Sequence, residues 1–398
     1  MVIPKLRFTE FSSNWKLLSL QKCGFIVSDG NYGPLYPKSE EFTEVGIPFI
    51  RAKNFKNGRI TLEDMRFISE DLHSKLTSGH LEEMDVLVST RGEIGTIAFV
   101  DSDFVGANIN AQICLLRKSD LCKQKFLFYS LLTDSSIKQF RKLKTGSALK
   151  QLPRKNLMKI VIGIPSFKEQ QKIADCLSSL DDLITAHSQK LDLLKTHKKG
   201  LMQQLFPAEG QTTPTLRFPE FQDMDGWKRE ALGKLSNIST GSSNREDSSL
   251  DGKYTFFDRS QDIRTSNIYL FDCEAIIVAG EGQDFLPKYF IGKFDLHQRS
   301  YAITSFEGAV GKYLLYYIHY FRRYFLSQAV GSTVKSLRLP MFQKMPIHLP
   351  KSAEQQKIAD CLSSLDKLIK AQSEKLDALK AHKKGLMQQL FPSPEETL

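Results

Sequence analysis

Two stretches of the sequence combine many cationic side chains with an absence of acids, and cationic side chains bind phosphate. The stretch between Asp134 and Glu169 contains nine bases: Lys138, Arg141, Lys142, Lys144, Lys150, Arg154, Lys155, Lys159 and Lys168. The stretch between Glu307 and Glu354 contains seven: Lys312, Arg322, Arg323, Lys335, Arg338, Lys344 and Lys351. Each stretch also holds a Gly-Ser pair, at 146–147 and at 331–332, whose amides can approach a phosphate. Both stretches favour contacts with a nucleic-acid backbone, although a solvated charged face would have the same composition.

Sequence-specific reading of a nucleic acid requires polar side chains that reach base edges. Polar loops that offer such side chains lie at residues 51–57, 108–112, 283–284 and 297–299. We expect DNA contacts from loops and basic stretches together, at Arg51, Lys53, Arg91, Lys144, Ser147, Lys150, Arg154, Arg299, Ser332, Lys335 and Arg338. For each of these residues an ordinary structural role stays open.

Motifs of catalysis are absent from the sequence. It contains no GxxxxGK[ST] phosphate-binding loop, no HExxH or CxxC metal motif and no GxSxG nucleophile motif. The Pro-Pro-aromatic box and glycine-rich loop of an amino-methyltransferase are also missing. Adjacent acids such as Glu82 and Glu83 have nothing that marks them as an acid–base pair. The sequence therefore predicts a binding protein that has no catalytic residues and binds no metal or cofactor itself.

Six cysteines and the overall charge indicate the compartment. Cys23, Cys114, Cys122, Cys176, Cys273 and Cys361 have neither zinc-ligand spacing nor the density of a disulfide framework, so we expect reduced core thiols. The 398 residues carry a formal net charge of +10, which favours a polyanionic partner. Charge appears too early for a signal peptide, and the most apolar run, 313–321, is too short to cross a bilayer. We expect a soluble cytoplasmic protein.

The elements that would position these residues form two small α/β domains. Strands are predicted at 85–92, 96–100, 109–117, 275–280, 288–294 and 300–305. Helices are predicted at 123–143 and 311–329. In both halves a helix, a Gly-Ser loop and a short apolar strand follow the predicted sheet.

An internal repeat frames these domains. Residues 169–207 recur at 354–392 with six mismatches in 39 positions, and PKLRFTEF at 4–11 is echoed by PTLRFPEF at 214–221. The segments between these anchors hardly resemble each other. A chain that keeps two copies of a scaffold and lets two inserts diverge is suited to reading two different things.

Each long repeat carries a heptad pattern. Its apolar seam runs through Ile173, Leu177, Leu180, Ile184, His187, Leu191, Leu194, Lys198, Leu201 and Leu205, and the copy repeats it from Ile358 to Leu390. The simplest pairing joins the two helices to each other, antiparallel, in a pseudo-twofold molecule. The polar seam positions, such as Lys198 and Lys383, favour setting the register of the pair or snorkelling to solvent over catalysis.

Four residues fall on the outer face of the heptads, where a solvated coiled coil would carry charge. They are Cys176, Leu183, Cys361 and Leu368. Two interpretations stay open: these side chains pack on the globular domains of the chain itself, or they bind the helices of another protein.

The alternation of two variable segments with two near-identical helices resembles the DNA specificity subunit of bacterial type I restriction–modification enzymes. Each helix is entered through a proline and then Glu-Gln-Gln-Lys-Ile-Ala, at 169–174 and 354–359. The stretch Asp-Val-Leu-Val-Ser-Thr-Arg-Gly-Glu-Ile-Gly at 85–95 adds to the resemblance, whereas its counterpart at 275–283 departs from it. The resemblance spans the chain.

The resemblance implies an α/β (α+β) fold: two small target-recognition domains separated by two long helices in an antiparallel coiled coil, with a pseudo-twofold internal repeat. We expect target-recognition domains at 1–165 and 208–350, and spacer helices at 166–207 and, with a C-terminal tail, 351–398. Each domain would read half of an asymmetric, interrupted site in double-stranded DNA. The helices would set the gap and dock two methyltransferase subunits.

The resemblance also implies where the chemistry resides. S-adenosylmethionine would be bound by the methyltransferase subunits, and ATP and Mg by the partner subunits of a complex that includes restriction subunits, in a bacterium or archaeon. The alternative is a coiled-coil interaction scaffold whose basic domains bind RNA or an acidic protein. A steep salt dependence with preference for a two-part duplex site would distinguish the first function from the second.

Overall fold

A computed structural model describes residues 3–147, 150–260 and 262–392. The predicted C-terminal tail, 393–398, lies outside this range. The chain divides into two compact units: unit 1 takes in the residues up to His187 and those from Lys375 onward, and unit 2 is Ser188–Glu374. This division falls inside the long helices, because each half-helix packs into the core of a unit. The predicted domain limits at 165, 207 and 350 stay predictions.

Unit 1 is built from short strands and helices. Its strands are β1 (Lys16–Ser19), β2 (Ile26–Asp29), β3 (Phe42–Thr43), β4 (Ile47–Ile50), β5 (Phe55–Lys56), β6 (Arg59–Ile60), β7 (Arg66–Ile68), β8 (Val86–Ser89), β9 (Ile97–Phe99), β10 (Asn108–Ile109), β11 (Ile113–Arg117) and β12 (Val161–Ile164). Its helices are α1 (Leu20–Cys23), α2 (Glu70–Lys75), α3 (Gln124–Leu131), α4 (Asp134–Leu143), α5 (Arg154–Leu157) and the first half of α6 (Phe167–Leu205).

The central sheet of unit 1 has the order β2-β11-β8-β9 and is covered on both faces. Val86 and Val88 face the helical core, where Phe126 and Ile173 lie. Leu87, between them, faces a second core on the opposite side. A strand that is buried on both faces is apolar at every position, which accounts for the run Val-Leu-Val in the sequence.

Unit 2 begins in the second half of α6. Its strands are β13 (Lys228–Ala231), β14 (Asn237–Thr240), β15 (Tyr254–Phe257), β16 (Arg264–Ser266), β17 (Phe271–Ala279), β18 (Glu281–Gly282), β19 (Lys288–Leu296), β20 (Ser300–Thr304), β21 (Lys335–Ser336) and β22 (Pro346–Leu349). Its helices are α7 (Leu232–Leu235), α8 (Gly311–Tyr320), α9 (Arg323–Gln328), α10 (Leu339–Gln343) and the first part of α11 (Ser352–Leu390). Its main sheet, in the described residues, has the order β14-β20-β17-β19-β15-β16.

The two helices predicted before the Gly-Ser loops are each broken into two. The predicted helix 123–143 divides into α3 and α4, because the hydroxyl of Thr133 accepts a hydrogen bond from the amide of Ser136 at 3.3 Å and starts a new helix. The predicted helix 311–329 divides at residues 321–322. The strands predicted at 85–92, 96–100, 275–280, 288–294 and 300–305 are confirmed apart from their ends; that at 109–117 is split between β10 and β11.

The long helices run antiparallel within each unit, as the heptads predict. In unit 1 the start of α6 packs against the end of α11, where Leu390 joins Ile173 in one core. In unit 2 the end of α6 packs against the start of α11, where Leu205 joins Ile358. No helix of the described part of the chain has the length and apolar character needed to cross a membrane.

Lysines in the seam pair with carboxylates on the opposite helix. In unit 1 Lys383 Nζ lies 2.5 Å from Asp181 Oδ1, and the hydroxyl of Tyr129 donates to Asp181 Oδ2 at 2.8 Å. In unit 2 Lys198 Nζ lies 2.5 Å from Asp366 Oδ1. The hydroxyl of Tyr316 donates to the second oxygen of Asp366 at 2.6 Å. These polar positions therefore fix the register of the helices, which is one of the two roles predicted for them.

A buried ion pair holds each unit together at the repeated Leu-Arg-Phe segment. Arg7 donates from Nε and Nη2 to the two oxygens of Glu169, at 2.7 and 2.8 Å, and the amide of Leu6 donates to the carbonyl of Gln389 at 3.0 Å. The segment thus ties the start of α6 to the end of α11, in an arrangement that we call the clamp.

Unit 2 repeats the clamp with the helices exchanged. Arg217 donates to both oxygens of Glu354 at 2.9 and 2.7 Å, and the amide of Leu216 donates to the carbonyl of Gln204 at 3.0 Å. The next residue of each helix, Gln170 or Gln355, has a buried amide side chain whose oxygen accepts a backbone N–H at 2.8 or 2.7 Å. These contacts explain why Leu-Arg-Phe and Glu-Gln-Gln are among the parts of the sequence that repeat.

Replacing Arg217 with Ala leaves the carboxylate of Glu354 buried without its partner, and we expect a loss of about 3–5 kcal/mol in the free energy of unfolding of unit 2. The two tryptophans, Trp15 and Trp227, lie in different units, so the variant is best studied in a Trp15→Phe background. Urea unfolding followed by the fluorescence of Trp227 then measures the loss.

The matched control is Lys357→Ala, which removes an ion pair with Glu220 whose side chains are 52% and 46% exposed. Exposed pairs contribute about 0–1 kcal/mol, so we expect little change. Equal losses in the two variants would contradict the anchoring role of Arg217.

Candidate nucleic-acid interface

The loops of unit 1 that follow β2, β8 and α4 converge beside the central sheet. The main chains of Thr145 and Gln151 form a β-bridge across the Gly-Ser loop, and Gln151 forms a second β-bridge with Arg91. The amide of Leu152 donates to the carbonyl of Thr90 at 2.8 Å. The structure therefore brings Arg91 together with Lys144, Ser147 and Lys150, which the sequence could only name separately.

The side chains of this loop cluster present positive charge to solvent. The guanidinium of Arg91 lies over the ring of Tyr32, 5.6 Å from its centroid. Ser147, Lys150 and Arg154 are exposed and Lys144 is half-buried. Arg154 opens α5, directly after the loop. Within the described residues none of these cations forms an ion pair, so their charge is available to a phosphate.

Glycines allow the loops to approach one another closely. A Cβ atom on Gly30 would overlap the carbonyl oxygen of Ile109, and one on Gly241 in unit 2 would overlap the carbonyl oxygen of Leu296. Each glycine follows the first strand of its main sheet. Any larger residue would push the loop away from the neighbouring backbone.

Arg51 and Lys53 are engaged within their own loop. Arg51 Nη2 donates to the carbonyl of Asp64, and Lys53 Nζ lies 3.1 Å from Asp64 Oδ2. Burial, and then the charge of Arg66, lower the pKa of Arg51. The structure does not join these residues to the Gly-Ser loop, and their contact with nucleic acid stays a prediction.

Unit 2 assembles a corresponding loop cluster. The main chains of Val330 and Ser336 form a β-bridge across the second Gly-Ser loop, and Ser336 is also the strand partner of Glu281 in β18. The amide of Leu337 donates to the carbonyl of Gly280 at 2.7 Å. Lys335 lies in β21, and the exposed Arg338 directly precedes α10. Ser332, Lys335 and Arg338 are therefore brought together on one edge of the unit.

A polar cleft of about 480 Å³ opens beside this cluster in unit 2. Its lining includes Glu281, whose side chain is 17% exposed and binds two guanidinium groups. Arg299 Nη1 lies 2.9 and 3.1 Å from the two oxygens of Glu281, and Arg259 Nη1 lies 3.4 Å from one of them. The two arginines that Glu281 binds, Arg299 and Arg259, have side chains that stay 60% and 55% exposed.

A buried carboxylate also lines the cleft. Asp258 Oδ1 accepts hydrogen bonds from the amide and hydroxyl of Ser260 at 2.7 and 2.5 Å. Its Oδ2 is buried and has no hydrogen-bond partner among the described residues; Arg245 Nε is 3.9 Å away. Burial alone would raise the pKa of Asp258, but the bonds from Ser260 and the charge of Arg245 hold it below its ordinary value.

His297 fixes the turn that carries Arg299. Its Nδ1 accepts a hydrogen bond from the amide of Arg299 at 3.0 Å, which places the proton of the neutral ring on Nε2. Burial lowers the pKa of His297; Arg299 and Arg259 lower it further, whereas Asp258 and Glu281 oppose them.

The sequence did not reveal this cleft. Of the residues around it, Arg299 was among the predicted DNA contacts, and His297 and Gln298 belong to the polar loop at 297–299 that the sequence offered for reading bases. The others, including Asp258, Arg259 and Glu281, come from segments well separated in the chain and match no motif. The signal that could have found Glu281 is its place in the stretch that corresponds to 85–95, although that stretch has diverged.

The outer-face residues of the long helices are partly exposed. Leu183 and Leu368 are 47% and 55% exposed, and Cys176 and Cys361 are half-buried. Nothing in the structure identifies what covers the two leucines. Within the part of the chain that the structure describes, no group of three or more His, Cys, Asp or Glu side chains could hold a metal ion.

Comparison with known proteins identifies a family. The model of the type I restriction modification DNA specificity domain matches residues 26–196 and 224–381. The MjaVIII specificity subunit of Methanocaldococcus jannaschii is 22% identical over 78% of this chain and 79% of its own length. The putative MjaX specificity subunit of the same organism is 22% identical over 97% of this chain and 95% of its own. The EcoDI specificity subunit of Escherichia coli is 28% identical over 38% of this chain; that match spans about a third of the relative (34%).

Solved structures show a similar fold. The S subunit of a type I restriction-modification system from M. genitalium aligns over 98% of this chain and 99% of its own, with a TM-score of 0.69 and 17% identity. A chain from a study of complex assembly and conformational transition of the type I R-M system aligns over 96% of this chain and 98% of its own, with a TM-score of 0.55 and 18% identity.

The charges around His297 predict how its pKa responds to substitution. Asp258→Asn removes a negative charge that favours the imidazolium, so we expect the pKa of His297 to fall. Arg259→Gln removes a positive charge, so we expect it to rise. Titration of the histidine ring protons by NMR, assigned with a His297→Gln variant, measures both shifts. Shifts of the same sign in the two variants would contradict this account of the cleft.

Proposed function

Because the chain belongs to the family of type I restriction modification DNA specificity proteins, which are non-catalytic subunits, we propose that its two units recognise the two halves of an asymmetric, interrupted site in double-stranded DNA. The family match covers most of both units. Each unit reads one half-site with the loops beside its main sheet.

One observation supports this proposal above the others: the same clamp carries two unlike surfaces. The ion pairs Arg7–Glu169 and Arg217–Glu354 have the same geometry. The main sheets above them differ, since unit 1 has β2-β11-β8-β9 with a separate second sheet, and unit 2 extends its sheet through β15 and β16. Equal scaffolds with different readers suit a site whose halves differ in sequence.

The loop clusters supply the two kinds of contact that such recognition needs. Lys144, Ser147, Lys150 and Arg154 in unit 1 contact phosphates, and so do Ser332, Lys335 and Arg338 in unit 2. These contacts hold the protein on the duplex without reading its sequence. Arg51, Lys53, Arg91 and Arg299 are the predicted candidates for contacts in the grooves.

The long helices serve the rest of the complex. We propose that α6 and α11 set the number of base pairs between the half-sites and dock two methyltransferase subunits, through Cys176, Leu183, Cys361 and Leu368. Exposed leucines on otherwise charged helices suit a partner helix. S-adenosylmethionine is then bound by the methyltransferase subunits, and ATP and Mg by the partner subunits of the complex with restriction subunits.

Mapping of methylated adenines tests this function. The full chain is expressed together with its methyltransferase partner in cells that lack adenine methylation, and the modified bases are located by sequencing. We expect one motif made of two unlike halves at a fixed separation. The methyltransferase expressed alone is the control. Methylation without a two-part motif, or selective binding of RNA or an acidic protein by the chain, would favour the interaction scaffold instead.

Replacing Lys144, Lys150, Arg154 and Lys155 with Ala should weaken binding to all duplexes alike. For every phosphate that the variant no longer neutralises, the slope of log affinity against log salt should become shallower by up to about 0.9. The preferred sequence should not change. Affinities measured over a range of salt concentrations, for the preferred duplex and an unrelated one, check both statements.

The matched control removes four exposed lysines outside the basic stretches, at Lys16, Lys22, Lys228 and Lys234. It loses the same formal charge, and its slope should fall much less. If the fourfold variant in Lys144, Lys150, Arg154 and Lys155 changed the preferred sequence and kept the salt slope, the replaced residues would be base readers.

A further inference from the structure

The two loop clusters share a set of main-chain hydrogen bonds that aligns their side chains position by position. In unit 1 the amide of Thr90 donates to the carbonyl of Gln112 at 2.7 Å. In unit 2 the amide of Gly280 donates to the carbonyl of Arg299 at 2.8 Å. Gln112 and Arg299 therefore occupy corresponding positions, although the surrounding sequences differ.

The neighbouring position corresponds in the same way. The main chain of Arg91 forms a β-bridge with Gln151, and that of Glu281 is paired with Ser336. Ser336 stands 185 residues after Gln151, which is the offset of the repeat. The residue next to each partner, Leu152 or Leu337, bonds the carbonyl before Arg91 or Glu281. Unit 1 thus carries arginine and glutamine at these two positions, where unit 2 carries glutamate and arginine.

We propose that Arg299, held in place by Glu281, reads a guanine in the half-site bound by unit 2, and that Glu281 is its positioning residue. This inference rests on the proposed function. In unit 1 the position after the main-sheet strand is Arg91. In unit 2 the corresponding position is Glu281, and its carboxylate orients the guanidinium of Arg299 in the neighbouring turn.

The geometry of Arg299 suits a guanine. Its contact with Glu281 uses only Nη1, so the edge formed by Nε and Nη2 has donors to spare among the contacts of the described residues. Guanine presents two acceptors in the major groove, O6 and N7, which a guanidinium edge binds with two parallel hydrogen bonds. The side chain is 60% exposed, so the edge is accessible.

The backbone of Arg299 is held as firmly as its side chain. Its amide donates to His297 Nδ1, its carbonyl accepts from Gly280, and the amide of Gln298 donates to the carbonyl of Ser243 at 3.0 Å. A side chain that reads a base must be ordered before the base arrives, since ordering it later costs affinity.

Glu281 is suited to position arginines rather than to contact DNA. Its side chain is 17% exposed, and its oxygens already accept hydrogen bonds from Arg299 and Arg259. An ion pair with an exposed arginine stabilises a fold little, so stability alone gives no reason for this one. A carboxylate beside a phosphate-rich ligand repels it, and the two arginines offset that repulsion.

Selection from a library of duplexes with a long randomised segment tests the inference on the full-length chain. Arg299→Lys keeps the charge and loses the planar fork. We expect it to reduce the preference for guanine at one position of one half-site by roughly five- to 150-fold. The other half-site and the salt slope should stay unchanged. Arg229→Lys, the same substitution at an exposed arginine of β13 outside the cleft, is the matched control and should leave the profile as it is.

Glu281→Gln keeps the size of the side chain and removes its charge. We expect it to relax the preference at the same position as Arg299→Lys, and the double variant to show no further loss. Thermal unfolding of all variants checks that the fold is retained. Should Glu281→Gln destabilise unit 2, Glu281→Asp, which retains the charge on a shorter arm, serves in its place with the same expectation.

Three outcomes would overturn the inference. An unchanged profile for Arg299→Lys would remove Arg299 as a reader. If Glu281→Gln bound all sequences more tightly by the same factor and kept the guanine preference, Glu281 would act only by repelling DNA and would not be a positioning residue. If the native chain enriched no two-part sequence, the proposed function itself would be overturned. This outcome is distinct from the first two because it is seen with the unmodified chain.

Discussion

A carboxylate buried at the first turn of each long helix is the constraint on which the structure depends. Glu169 and Glu354 are almost fully buried, and a charge in such a place requires a partner. Arg7 and Arg217 meet that requirement with two hydrogen bonds each, and they bring the Leu-Arg-Phe segment to the helix pair. The small sheets β1–β12 and β13–β22 pair the strand that follows each Leu-Arg-Phe segment with the strand that precedes each long helix.

This constraint explains the uneven divergence of the repeat. Residues of the clamp contact one another across the chain, so a change in one requires a change in several. Loop residues such as Gln112 and Arg299 are held by their backbone carbonyls instead, and a backbone bond is indifferent to the side chain. Side chains at the tips of the loops can therefore change freely while the loops keep their course.

Much of the fold could be predicted from periodicity, because a heptad seam and a buried strand leave local patterns in the sequence. The antiparallel pairing followed from the repeat. For the seam lysines the sequence predicted either a role in setting the register or snorkelling to solvent, and it did not indicate their partners, Asp181 and Asp366. The candidate site was predicted only in part. The basic stretches leave a local signal, whereas the cleft is made of residues such as Asp258 and Glu281 that come together only through the pairing of distant strands. Charge alone also could not reveal that Arg51 and Lys53 are engaged by Asp64.

The division of the chain between the units has a consequence for synthesis on the ribosome. Unit 2 is a continuous segment, Ser188–Glu374, whereas the core of unit 1 includes Leu390 and its first segment bonds to Gln389. The residues of unit 1 that precede Ser188 must therefore wait for those that follow Glu374 before their core is complete. Unit 2 can complete its core in the meantime. Unit 1 therefore begins first on the ribosome but completes its core last. Exposed strands of unit 1 during that interval are a place where a chaperone would act.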